Sequence, residues 1–191
     1  MDLARKKDMI LEHESGFAAA VGSAVIEKPK ASCWIILLPI MFIFLIHDMH
    51  KFKRNRKKFK DEFLIDRQRA MAAAFEAAVS GSKPNIDRIV QKYEEIEALK
   101  RPYKAWIEVL ADHYMDLLLA VGENFESLVR GAYRKRTNYL LILNRLNTVE
   151  KEFLEALKGS MKAVEGASAV IAAVQNKSQS LRREFAERVF A

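Results

Sequence analysis

Apolar residues recur at helical spacing along most of the chain, and nowhere does a strand-length stretch alternate apolar and polar residues. The pattern predicts an all-α protein. Leu3, Ile10, Phe17 and Ala24 fall at heptad spacing with Val21 beside them, giving an amphipathic helix over residues 2–27. Its second half, from Ser15 to Ile26, carries no charge and several small residues, Gly16, Ala20 and Ala24 among them, which allow close approach of another helix. Further on, Phe52, Phe59, Phe63, Met71, Phe75 and Ala78 form a rough stripe with no Gly or Pro before Ser80-Gly81-Ser82. Asn85 is positioned to cap a helix bearing Ile86, Ile89, Tyr93 and Ile96, and Pro102 suits the first turn of a helix that ends near Gly122. That helix has Trp106, Leu110, His113 and Leu117 on one side. Thr137 or Asn138 caps a helix with Ile142, Leu146, Val149, Phe153 and Leu157 in register, and Gly159 and Gly166 bracket the next turn. The last helix has the cleanest seam: Val164, Ala167, Ile171, Val174, Leu181 and Phe185, interrupted only at Ser178. It must bury that face against the 142–157 helix or against another copy.

One segment does not fit an amphipathic bundle. Residues 31–46, ASCWIILLPIMFIFLI, hold no charge at all. As a helix they reach about 24 Å, short of the ~30 Å hydrocarbon core, so a span needs snorkelling lysines or local thinning. Trp34 suits an interface, and Pro39 a kink that membrane helices tolerate. A secretory signal is excluded, because about thirty residues with five acids precede the run and His47-Asp48-Met49-His50 follows it. A re-entrant or in-plane segment and the buried core helix of a soluble bundle are the competing readings.

Charge favours the membrane. The chain has a net charge of +7, yet seven of its 32 bases are Lys51, Lys53, Arg54, Arg56, Lys57, Lys58 and Lys60, and without them bases and acids are equal at 25 each. A cationic collar beside an apolar run seats a protein on anionic lipid, whereas a soluble core helix has no use for one. Within about twenty residues of the run only Lys28 and Lys30 precede it, while the seven bases follow it with Arg67 beyond, so the positive-inside rule expects the N-terminus outside and the C-terminal domain cytoplasmic. The resulting division is an amphipathic N-terminal helix (1–30), a single-pass membrane segment (31–50), a basic juxtamembrane helix (51–80) and an antiparallel helical bundle (81–191) with a coiled-coil-like last helix.

The residues that carry chemistry are sparse. Cys33 alone permits no disulfide framework, and as a small thiol at the run's edge it reads as buried rather than acylated. His47 and His50 share a helical face but bring no third ligand, and Glu-x-x-His is absent at all four histidines. Glu108, Asp112 and Asp116 form an acidic ridge that reads as solvated, and His113 reads as a core histidine with a satisfied partner. Arg130, Arg134, Lys135 and Arg136, with Tyr133 and Tyr139 interleaved, form a second basic patch and a candidate anion site, although bases neutralising the ridge explain it as well. No phosphate loop, nucleophile elbow or zincin motif occurs. The sequence therefore reads as a non-enzymatic, membrane-anchored interaction or scaffold protein with no cofactor or metal. Its expected partners are an anionic bilayer and another protein or a second copy. The alternatives are a membrane-tethered nucleic-acid binder using 51–60 and 130–136, and a small membrane enzyme centred on His113.

Overall fold

A computed structural model describes residues 1–26, 52–91, 97–160 and 167–191, and all regular structure among them is helical. Seven helices pack together: α1 (Leu3–Ile26), α2 (Phe52–Ser80), α3 (Asp87–Val90), α4 (Glu97–Leu119), α5 (Phe125–Tyr133), α6 (Arg136–Ser160) and α7 (Ala167–Val189). Among the described residues no helix is long and apolar enough to cross a membrane. The expected membrane segment, residues 31–46, with His47 and His50, lies outside them, and so does Val164 of the seam.

Helix ends follow local chemistry. Asp2 Oδ1 accepts from the Arg5 amide at 2.7 Å and opens α1. α2 ends where Gly81 takes φ +66°, a left-handed conformation that glycine adopts without steric cost. Asn85 Oδ1 accepts from the Asp87 amide at 3.1 Å, an Asx turn one residue ahead of the helix; the N-cap is Ile86 rather than the expected Asn85, and the described part of α3 is a single turn. Pro102 is not in the first turn. α4 begins five residues earlier, at Glu97, and the proline lies inside it.

The five long helices close into a ring. α1 packs on α2 and α7, α4 on α2 and α6, and α6 on α7. Contacts give the directions. Lys7 lies over Phe75, Glu14 pairs with Arg67, and Phe17 packs near Phe63, so α1 and α2 are antiparallel. His13 meets Phe185 and Phe17 meets Arg182, so α1 and α7 are antiparallel as well. Trp106 stacks on Phe153 while His113 faces Tyr139, which sets α4 against α6. The amphipathic N-terminal helix is thus an integral stave of the bundle, held at its start by Lys6 Nζ donating to the carbonyls of Leu118 and Ala120 at 2.8 and 2.7 Å.

This arrangement brings the C-terminus of α1 and the N-terminus of α2 to one end of the ring. α5 lies at the other end, where Gly131 approaches Val121 so closely that a Cβ would come within 2.5 Å of its carbonyl oxygen. The main core runs through Ile10, Met71, Leu99, Tyr103, Ile107, Leu110, Leu117 and Leu128. A second cluster joins Val21, Leu154, Val170, Ile171 and Val174. The α7 seam is therefore intramolecular, facing α1 and α6 together, with Ile171, Val174 and Phe185 buried, Leu181 half-buried, and Ser178 buried with no partner for its hydroxyl.

Candidate functional site

The ring encloses charge. Glu14 of α1, Arg67 of α2, Glu150 of α6 and Arg182 of α7 meet inside it. Arg67 Nε lies 2.9 Å from Glu14 and its Nη2 donates to Glu150 at 3.2 Å. Arg182 grips both oxygens of Glu150, at 2.5 and 3.1 Å, and also donates to Asn147 at 2.6 Å. Arg67, Glu150 and Arg182 are each at most 7% exposed. Two cations and two anions cancel, which is the condition for holding ions out of water. Burial disfavours the charged Arg67, but Glu14 and Glu150 outweigh it and hold the guanidinium above its ordinary range. Burial likewise opposes ionisation of Glu150, while Arg182 and Arg67 hold its carboxyl below the usual range. Aromatic rings surround the network, with the Arg67 guanidinium carbon 4.2 Å from the centroid of Phe63 and 5.5 Å from those of Phe17 and Trp106.

None of these four residues stands out in the sequence as a core position. Of the expected α6 stripe, Leu146, Phe153 and Leu157 are buried and Ile142 and Val149 half-buried, while Leu143 and Glu150 beside them are buried as well. Arg67 counts towards the positive flank of the apolar run by position, but its burial removes it from any lipid surface. α5 is also missing from the sequence reading, and Asn124-x-x-Ser127 is the signal for it: each side chain bonds the other's backbone amide as a capping box.

Next to the network, His113 Nδ1 and the Tyr133 hydroxyl are hydrogen-bonded at 2.5 Å, so His113 is the satisfied core histidine that its apolar face implies. Burial lowers the histidine from its ordinary 6.5 to about 4; Glu14 opposes the change, and Arg182 and His13 add to it. His13 is lowered too, chiefly by burial. Burial raises the Tyr133, Tyr139 and Tyr114 hydroxyls, leaving all three neutral. The sign of the pH dependence follows. A histidine held neutral in the fold contributes stability that is complete above about pH 6.5 and is lost as pH falls towards 4. The loss at His113 amounts to about 3 kcal/mol. Urea unfolding at pH 7 and pH 4.5 should show that fall, and His113→Phe should flatten it; equal slopes in both proteins would contradict the assignment.

The other expected sites are dispersed. Arg130 donates to the Val189 carbonyl at 3.1 Å and closes the C-terminus of α7, and Arg136 lies 3.8 Å from Glu187. Arg134 takes φ +61° as the last residue capping α5, with Lys135 exposed beside it. This patch thus neutralises α7 rather than the acidic ridge. Glu108 of the ridge pairs with Lys104 at 3.9 Å, and Asp112 and Asp116 are exposed. Of the collar, Lys53, Arg54, Arg56, Lys57 and Lys58 occupy the first turns of α2, Lys60 is half-buried, and Lys51 lies outside the described residues. Among the described residues no three metal-ligating side chains come together.

Between α1 and α7 a groove of ≈ 290 Å³ is walled by Gly16, Phe17, Ala20, Leu181 and Phe185, with Glu184 and Arg188 also lining it and His13, Tyr139 and Arg182 shared with the cavity behind. Behind it a cavity of ≈ 30 Å³ reaches Arg67, Glu14 and His113. No protein-family model matches the chain, and no curated protein or solved structure is significantly similar to it.

Proposed function

We propose that this chain is a non-enzymatic, membrane-anchored helical interaction protein whose bundle is held at an anionic bilayer by residues 31–46 and the basic residues that follow them. The observation that carries the reading is the antiparallel packing of α1 on α2, which brings both ends of the 27–51 connection to one end of the ring. A single span would put α1 on the opposite side of the membrane from the helices it touches. Entry and exit on one side avoids this, and Pro39 near the middle of sixteen uncharged residues is where such a segment turns back. The collar at the start of α2 then lies at the lipid surface, where each base contributes about 1 kcal/mol of attraction to anionic headgroups. The opposite end exposes Val79, Leu119 and Val121, which supports the interaction part of the reading.

Vesicle flotation tests the anchor. The full chain should float with neutral and with phosphatidylserine-containing vesicles, and more of it with the latter at low salt. Replacing the seven bases of 51–60 by Gln should remove only the anionic increment, and deleting residues 31–46 should remove flotation on neutral vesicles. Flotation unaffected by that deletion would contradict the reading.

A further inference from the structure

The geometry points to the groove between α1 and α7 as a binding site for a neutral aliphatic molecule with one oxygen head, such as a medium-chain alcohol. This goes beyond the membrane reading and does not depend on it. The groove and the inner cavity share four wall residues, His13, Phe17, Tyr139 and Arg182, so together they lead from the surface of the ring to its charged centre. The outer part has apolar walls, Phe17, Ala20, Leu181 and Phe185, under a rim carrying the oppositely charged Glu184 and Arg188, and Gly16 leaves it open, since a Cβ there would meet nothing within 4 Å. Its volume, ≈ 290 Å³, falls at the small-ligand end of the usual range.

The inner end determines the head group. Arg67 lines the cavity, is 1% exposed and donates Nη2 to Glu150; Nε is ion-paired with Glu14 at 2.9 Å, but neither Nε nor Nη1 has a hydrogen-bond partner. The Trp106 indole nitrogen, on a ring 5.5 Å from the Arg67 guanidinium carbon, is a second buried donor without a partner. Unmet donors call for an acceptor oxygen. The charge balance excludes an ionised one: Glu14, Arg67, Glu150 and Arg182 already sum to zero, and burial keeps both histidines neutral. A carboxylate would therefore bring one uncompensated buried charge. A hydroxyl, ester or ketone oxygen satisfies Arg67 Nη1 at no such cost while its chain fills the groove.

The test uses the full chain with Trp34→Phe, which leaves Trp106, 5.5 Å from the Arg67 guanidinium carbon, as the reporter. Titration with 1-octanol should change its emission saturably. Octanoate, with the same chain length and a charge, should act at least tenfold more weakly. Gly16→Phe, which fills the groove, should abolish the response, and Ala20→Leu serves the same purpose if Gly16→Phe does not melt cooperatively. Apart from the shared Trp34→Phe change, residues 31–46 are the same in every variant, so uptake of octanol by that apolar segment would persist in the filled proteins. No saturable response, an equal response to octanoate, or a response that survives groove filling would overturn the assignment.

Discussion

Replacing Glu150 by Ala should unfold most of the protein under conditions where the parent is stable. Glu150 holds Arg182 through both oxygens and Arg67 through one, at a site where all three side chains are nearly inaccessible. Removing it leaves Arg182 with Asn147 and Arg67 with Glu14, and places a net positive charge in the middle of the ring. Breaking a buried pair in this way costs roughly 3–5 kcal/mol. That is a large share of the ~5–15 kcal/mol by which a domain is stable. Glu155→Ala, one turn on and paired with Lys158 at the surface, should change stability by less than about 1 kcal/mol. Urea midpoints followed by circular dichroism compare the two. Similar midpoints for Glu150→Ala and Glu155→Ala would show that the network carries no weight in the fold.

Ile171→Asp should have an effect of the same order by a different route. Ile171 is 1% exposed in an apolar cluster with Val21, Leu154, Val170 and Val174. An aspartate at that position either buries an unpaired charge or pushes α7 away from α1 and α6, at a cost of several kcal/mol. Because α7 is surrounded by its own chain, the variant should lose its melting transition rather than dissociate. Asn176→Asp, on the exposed face of the same helix, should melt like the parent. If Ile171→Asp kept its melting temperature and only its mass in solution fell, the seam would be intermolecular and the ring described above would be wrong.

Much of the ring is legible in the sequence, because its helices are built from apolar repeats and clear breaks. The extent of α1, the stop at Ser80-Gly81-Ser82, the buried face of α4 and the α7 seam all follow from spacing and turn chemistry. What the ring encloses is not legible. Glu150 lies 83 positions from Arg67 and 32 from Arg182, so no local pattern connects them. A reading that scores charged residues as solvent-facing also assigns each of them to the wrong side of its helix. The same bias leaves Glu150 off the face of α6, although Leu146, Phe153 and Leu157 of the expected face are buried. The role of α1 escapes for a related reason. Its charge-poor second half suggests close helix packing, but nothing local in residues 2–27 identifies α2 and α7 as the neighbours.

The central claim is that residues 31–46 enter and leave the bilayer from one side, with the whole helical ring on that side. In a Cys33→Ser background, single cysteines are placed at exposed positions on the two parts of the chain flanking the segment, Asp8→Cys on α1 and Ala191→Cys at the C-terminus. Sealed vesicles that retain the protein after an alkaline wash are then treated with a membrane-impermeant maleimide, with and without detergent. The one-sided account requires the two cysteines to behave alike, both labelled in sealed vesicles or both only after permeabilisation. Labelling of one in sealed vesicles, while the other waits for detergent, would contradict it and restore a true span.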